Sequence, residues 1–218
     1  VTESTEELLS ANRRTAGKPQ PPSAKGRRTR ERIVERAARL MLINGAGRTT
    51  LDEVGVAAGV GKSQLYHYFK DKDDLVEAVI EHQTDRILRA DGPHLAPLDS
   101  WDGWQRWREQ IVAHQSRGGC VGGCPLGSLA NELSETSEHA RAVLAASLER
   151  WERVFTSAID QMRTRGLLTA DADPARLATA TLATLQGGLL LCKVRRTTEP
   201  LATAIDAAIA NLRRFSAA

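Results

Sequence analysis

The segment Thr50-Leu51-Asp52-Glu53-Val54-Gly55-Val56-Ala57-Ala58-Gly59-Val60-Gly61-Lys62-Ser63-Gln64-Leu65-Tyr66-His67-Tyr68-Phe69 decides how this chain is read. Thr50 followed three residues later by Glu53 is a capping-box pattern: the hydroxyl accepts the N3 amide and the carboxylate reaches back to the cap. A helix therefore runs from Leu51 through Val54, Ala57 and Ala58 and breaks at Gly59. Gly59-Val60-Gly61 predicts a tight turn, and Lys62 to Phe69 a second short helix that buries Leu65 and Phe69. Two short helices meeting at a glycine turn form a helix-turn-helix, whose second helix is sized for the DNA major groove. With Leu65 and Phe69 inward, Lys62, Ser63, Gln64, Tyr66, His67 and Tyr68 divide between groove, backbone and packing. Gln64 can pair with an adenine edge, and Lys62 or His67 with guanine acceptors or phosphate. Thr49 and Thr50 stand where a helix N-terminus offers free amides to a phosphate, and Lys72 at the next helix start is a second phosphate candidate.

Apolar periodicity extends this reading in both directions. Upstream, Ile33, Ala37, Leu40 and Met41 share one face from Thr29 onward, with Arg32, Arg36 and Arg39 elsewhere and Asn44-Gly45 as the stop. Downstream, Asp71 caps a helix that turns Leu75, Val76, Val79, Ile80, Ile87 and Leu88 inward, and Asp91-Gly92-Pro93 ends it. Trp101, Trp104, Trp107 and Ile111 mark the next helix, and Gly118-Gly119, Gly122-Gly123 and Pro125 break the helical pattern after it. Leu144, Leu148, Trp151, Phe155, Ala158 and Met162 repeat at 4-3-4-3-4 along a long helix over about 138–165. Asp173-Pro174 caps a helix carrying Leu182, Leu185, Leu189 and Cys192, and Pro200 opens the last, with Leu201, Ile205, Ile209 and Leu212. No run of alternating β-branched residues appears. The expected fold is all-α with about nine helices. A helix-turn-helix head over residues 26–72 precedes a helical body over 73–218, and residues 1–25, with Lys18-Pro19-Gln20-Pro21-Pro22-Ser23, are expected to form a disordered basic tail.

Composition narrows the classes. The chain has 218 residues, 41% of them hydrophobic and 26% charged, ordinary for a globular protein with a real core. Its net charge is only +3, but residues 26–72 hold ten basic and five acidic side chains while the body is mildly acidic. That polarity suits a nucleic-acid-binding module joined to something that is not one. Three cysteines are too few for a disulfide scaffold, and Glu3, Glu6 and Glu7 stand where a signal peptide carries positive charge, so a reducing cytoplasm is expected. The stretch Ala178–Cys192 is interrupted by threonines and Gln186 and is read as a core or interface helix, not a membrane anchor.

The stretch from Thr49-Thr50-Leu51-Asp52-Glu53-Val54 through Ala58–Phe69 to Lys72-Asp73-Asp74-Leu75 resembles the TetR family of transcriptional regulators over about 45 residues. The resemblance implies a homodimer on a palindromic double-stranded DNA operator, with residues 73–218 as a ligand-binding and dimerisation body that takes a small lipophilic or aromatic effector; most members are repressors released by such a ligand. It also places Tyr66 and Lys72 where the family contacts the DNA backbone. Gly123-Cys124-Pro125-Leu126-Gly127, Leu129-Ala130-Asn131-Glu132-Leu133, Trp151, Gly166-Leu167-Leu168 and Gln186-Gly187-Gly188 resemble the multidrug- and flavonoid-responsive subgroup. Two positions depart from the family: Gly61 replaces the usual capping serine, and Gln64 stands where Thr or Ser is common.

Other features have plainer readings beside the sharper ones. Gly61-Lys62-Ser63 imitates the end of a phosphate-binding loop, but the required glycine is replaced by Val56 and the context is helical, so nucleotide binding is rejected. Cys120 and Cys124 lack a clear fourth ligand for a metal; they are either small apolar residues near a pocket or a redox switch. An effector pocket bordered by Trp104, Trp107, Cys124, Leu126, Trp151 and Phe155 competes with core packing that leaves one indole exposed. His82, His94 and His139 are read as surface or loop residues. Leu182, Leu185, Leu189, Leu201, Ile205, Ile209 and Leu212 form seams that either build a four-helix dimer interface or pack within one subunit. No catalytic residues, cofactor or metal site are expected. The alternatives to a ligand-released regulator are a thiol-sensing regulator and an all-α enzyme using the body pocket.

Overall fold

The computed structural model describes residues 23–89 and 97–217. The tail over 1–22, the turn at Asp91-Gly92-Pro93 and His94 lie outside the described residues. Nine helices occur among those residues: α1 Ala24–Asn44, α2 Leu51–Ala58, α3 Lys62–Tyr68, α4 Lys72–Leu88, α5 Trp101–Arg117, α6 Pro125–Leu133, α7 Glu138–Thr164, α8 Pro174–Arg195 and α9 Glu199–Arg213. Their only β-type pairing is an isolated bridge between Leu168 and Ser216.

Most helices begin where a capping side chain satisfies free amides. Thr50 accepts from the Glu53 amide and Glu53 returns the bond, completing the expected box. Asp71 accepts from Asp74, Ser137 from Ala140, and Asp173 from Ala175 and Arg176. Helix α1 begins earlier than the apolar periodicity indicates, because Ser23 accepts from the Gly26 amide and extends the helix back over the polar residues 24–28. The expected tail is accordingly shortened at its C-terminal end. Gly45 takes φ +88° and ends α1, and Gly59 is left-handed at the end of α2.

The head is a three-helix unit closed by Ile33, Ala37, Met41, Val54, Leu65 and Phe69, all 4% exposed or less. Within α2, Val54 and Ala58 face this core and Ala57 is exposed. Arg32 donates to the Ala58 carbonyl at 2.9 Å and bolts α1 to the end of α2, while the Arg30 guanidinium lies 5.2 Å over the Phe69 ring. Helix α4 packs against both α1 and α7 and is the spine joining head to body.

In the body, α7 is the central helix, with Leu144, Trp151, Phe155, Ile159 and Met162 buried. Helices α8 and α9 pack closely: a Cβ on Gly188 would stand 2.7 Å from that of Ala204. Small residues thus bring two axes together, as expected, but within one chain. The C-terminal end folds back on the α7–α8 connection, where the Thr169 amide donates to the Phe215 carbonyl at 2.8 Å.

Candidate nucleic-acid interface and interior cavity

Helix α3 presents Lys62, Ser63, Gln64, Tyr66 and His67 to solvent, while Leu65 is 1% exposed. The heptapeptide Lys62–Tyr68 is too short to be a stable isolated helix. Leu65 and Phe69, with their neighbours in α1 and α2, hold it in place. Tyr68 is half-buried and packs on the core, with His67 edge-on to it at 5.1 Å. Gly61 gives α3 no side-chain cap, so the first amides of α3 are left open toward solvent. The Lys62–Asp52 pair at 3.8 Å joins two side chains that are 70% and 74% exposed, an interaction that solvent screens and a phosphate can displace.

Thr49 departs from the expected phosphate role. Its side chain is 1% exposed and its hydroxyl donates to the Gly45 carbonyl, so it fastens the loop between α1 and α2 from within. Thr50 is exposed, but its amide and hydroxyl both engage the Glu53 carboxylate. Those bonds to Thr50 hold the Glu53 carboxyl below its ordinary range. Lys72 donates to the Gly47 carbonyl at 2.9 Å, which sets its ammonium beside the same loop.

That loop is also held from the body. The Glu132 carboxylate, near the end of α6, accepts from the Ala46 amide at 2.8 Å and from the Gly47 amide. Gly45 is needed there twice over, for its positive φ and because a Cβ would sit 3.1 Å from a Glu132 oxygen. Nothing in the local pattern reveals this link, which spans 86 residues.

The other end of α6 borders an interior cavity of about 410 Å³ between α4, α5, α7 and α8. Gln83, Arg86 and Arg89 come from the α4 side, Ile111, His114 and Gln115 from α5, Gly122, Gly123 and Cys124 from the loop before α6, Trp151 from α7, and Leu185 and Leu189 from α8. Trp151 is 3% exposed and its indole N–H has no hydrogen-bond partner among the described residues. Cys124 caps α6 by accepting from Gly127 and also accepts from Gln186 of α8. Burial pushes its thiol above the ordinary range. Burial, then Arg117 and Arg86, pull the His114 pKa down. A wider groove of about 660 Å³ adjoins the cavity between α1, α6 and α8, sharing Leu42, Gly122, Gly123 and Cys124.

Of the expected pocket residues only Cys124 and Trp151 line this cavity. Trp104, Trp107, Leu126 and Phe155 are each 0% exposed and belong to the core. Trp104 and Trp107 meet edge-on at 5.5 Å, Phe155 packs against both, and the Trp104 indole donates to Met162 sulfur. Trp101 is the half-exposed indole, covered by Arg213 at 4.7 Å. The sequence signal for the cavity lies instead in α4, where Gln83 and Thr84 interrupt the buried apolar residues; Gln83, which lines the cavity, is 4% exposed.

The seven residues expected at a dimer interface, Leu182, Leu185, Leu189, Leu201, Ile205, Ile209 and Leu212, are all 9% exposed or less and join α8 to α9 and to the rest of the body. The open apolar row of α8 is a different one: Ala183, Gly187, Leu190, Leu191 and Val194 face solvent, Val194 at 70%. By length and composition α8 is the one helix among the described residues that could cross a membrane, although its opposite side is packed on α7 and α9. Cys120, Cys124 and Cys192 are all free, buried thiols; burial, then the neighbouring Cys120 thiol, push the Cys192 pKa up. No cluster of three metal-ligating side chains occurs among the described residues. His82 is half-buried beside Arg86, and His139 bonds Glu77 of α4 at 2.9 Å.

Comparison with known proteins agrees with this geometry. Residues 33–79 match the family described as bacterial regulatory proteins, tetR family, and residues 104–208 match the tetracyclin repressor-like C-terminal domain. The chain is 33% identical over 163 residues to the transcriptional regulator AcuR of Cereibacter sphaeroides, covering 72% of this chain and 73% of that protein. It is 26% identical over 174 residues to the transcriptional repressor DhaR of a Mycobacterium species, covering 79% and 86%. The crystal structure of reduced Escherichia coli NemR superposes with a TM-score of 0.68 at 26% identity, covering 84% of this chain and 96% of that one.

Proposed function

We propose, since the chain belongs to the tetR family of bacterial regulatory proteins, that it is a homodimeric repressor of a palindromic operator, released when a small lipophilic or aromatic ligand enters the body. That the chain is a DNA-binding transcriptional regulator, and not an enzyme, follows from the family itself. The repressor role draws support from DhaR, which is named a repressor. We read residues 26–72 as the head and 73–218 as the body.

One observation carries the ligand-released reading. Helix α6 has Cys124 at its start, in the cavity wall, and Glu132 near its end, on the amides of the loop that leads into α2. A ligand that displaces the 122–124 segment moves a rigid rod whose far end grips the head. In a dimer this changes the spacing of two α3 helices that must meet successive major grooves about 34 Å apart. A tenfold change in occupancy needs only about 1.4 kcal/mol of preference for the released state. Subunit pairing is assigned to the open row Gly187, Leu190, Leu191 and Val194, which a second copy can cover.

A footprint or gel shift on DNA flanking the protein's own gene tests the proposal. Salt-sensitive protection of a palindrome is expected, weakened by Tyr66→Ala or Lys72→Ala with unchanged sequence preference. Absence of palindrome-specific binding there overturns it. The thiol-sensing alternative gains less support, because burial drives Cys124 and Cys192 away from the reactive thiolate form.

A further inference from the structure

The lining of the interior cavity specifies more than apolar contact. We infer that its ligand is an organic anion, an aromatic or aliphatic body carrying one carboxylate; this rests on the reading of the cavity as the effector site. Trp151 lines the cavity with its ring, while its buried indole N–H has no hydrogen-bond partner among the described residues. Among the described residues the cavity wall contains two arginines, Arg86 and Arg89, and no aspartate or glutamate. Arg86 reaches the Gln83 side chain only at a long 3.5 Å. The nearby acid Asp85 is engaged by Arg150 at 2.9 Å. His114, its pKa pulled down by burial, adds little positive charge near neutral pH. The cavity therefore disfavours a cation and offers a carboxylate two guanidinium groups at one end, beside apolar wall on the other sides. Ile87, Ile111, Leu185 and Leu189 supply the surface for the apolar body.

Calorimetry with a matched set tests this: naphthylacetate, naphthylacetamide and naphthylethylamine share one ring system and differ in charge. The full-length protein is expected to bind the carboxylate about tenfold or more tighter than the amide, the scale of one charge-assisted hydrogen bond, and to bind the amine least. Arg86→Gln combined with Arg89→Gln should level carboxylate and amide. Both arginines are exposed, and circular dichroism confirms that the variants remain folded. An amide or amine that binds as well as the carboxylate, or a carboxylate that does not bind, overturns the inference. A further variant, Leu189→Trp, fills the cavity. Equal binding of the three probes that Leu189→Trp abolishes overturns the charge preference while the cavity reading stands. A carboxylate preference untouched by every one of these variants refutes the cavity reading as well.

Discussion

Removing Glu132 tests the link between body and head most directly. Glu132→Ala deletes the acceptor of two backbone amides, Ala46 and Gly47. A hydrogen bond to a charged acceptor contributes about 1.5–3 kcal/mol when shielded. Glu132 and Gly47 are exposed, so roughly half of that, about 1 kcal/mol for each bond, is the reasonable scale here. The loop then opens some 10- to 30-fold more often, at about 1.4 kcal/mol per decade. Hydrogen exchange read by NMR at single residues measures this: Ala46 and Gly47 should lose about one order of protection, while the amides of α4 stay unchanged. Operator affinity should fall only modestly, but the factor by which a cavity ligand weakens it should shrink toward one. Unchanged exchange at both amides, or a ligand effect as large as in the parent protein, refutes the reasoning.

The remaining predictions concern stability, pairing and pH. Gly188→Ala adds a Cβ 2.7 Å from Ala204; overpacking of about 1–3 kcal/mol outweighs roughly 1 kcal/mol of gained helix propensity, so the melting temperature should drop by a few degrees in a calorimetric scan. Leu190→Glu with Val194→Glu places charge in the open row of α8 and should convert a dimer to monomers in sedimentation velocity, with the circular dichroism intact. His82 and His114 have pKa values lowered first of all by burial, so the unfolded chain takes up their protons first as the pH falls. Their stabilisation is complete above about pH 6.5 and is lost as pH falls toward the depressed values; in His114→Gln the melting temperature should decline less between about pH 7 and pH 5.

Much of the fold is legible in the sequence because local chemistry and tertiary packing agree. The caps at Thr50, Asp71 and Asp173 and the seam from Leu144 to Met162 all stand where periodicity puts them. The exposed row of α3 comes from the same logic, since burying Leu65 and Phe69 leaves little choice for their neighbours. What periodicity cannot report is which neighbour an apolar stripe meets. Helix α8 is apolar on two sides, and the Leu182–Cys192 seam is its inner side, leaving Leu190, Leu191 and Val194 open. The aromatic residues suggest a pocket because large rings serve cores and ligands equally; a mutual stack of Trp104, Trp107 and Phe155 leaves no room for a guest. Thr49 looks like a phosphate ligand because burial of its hydroxyl depends on the Gly45 turn. Glu132 stays hidden because its partner Ala46 lies 86 residues away along the chain.

The arrangement of the indoles has an optical consequence. Trp104 and Trp107, fixed edge-on and fully enclosed, should give a strong exciton-type signature in near-ultraviolet dichroism that reports intact packing. Trp151 alone stands in both the aromatic stack and the cavity wall, 6.4 Å from Phe155. Its emission should therefore respond to an occupant without any attached dye, making the protein its own spectroscopic gauge of ligand entry.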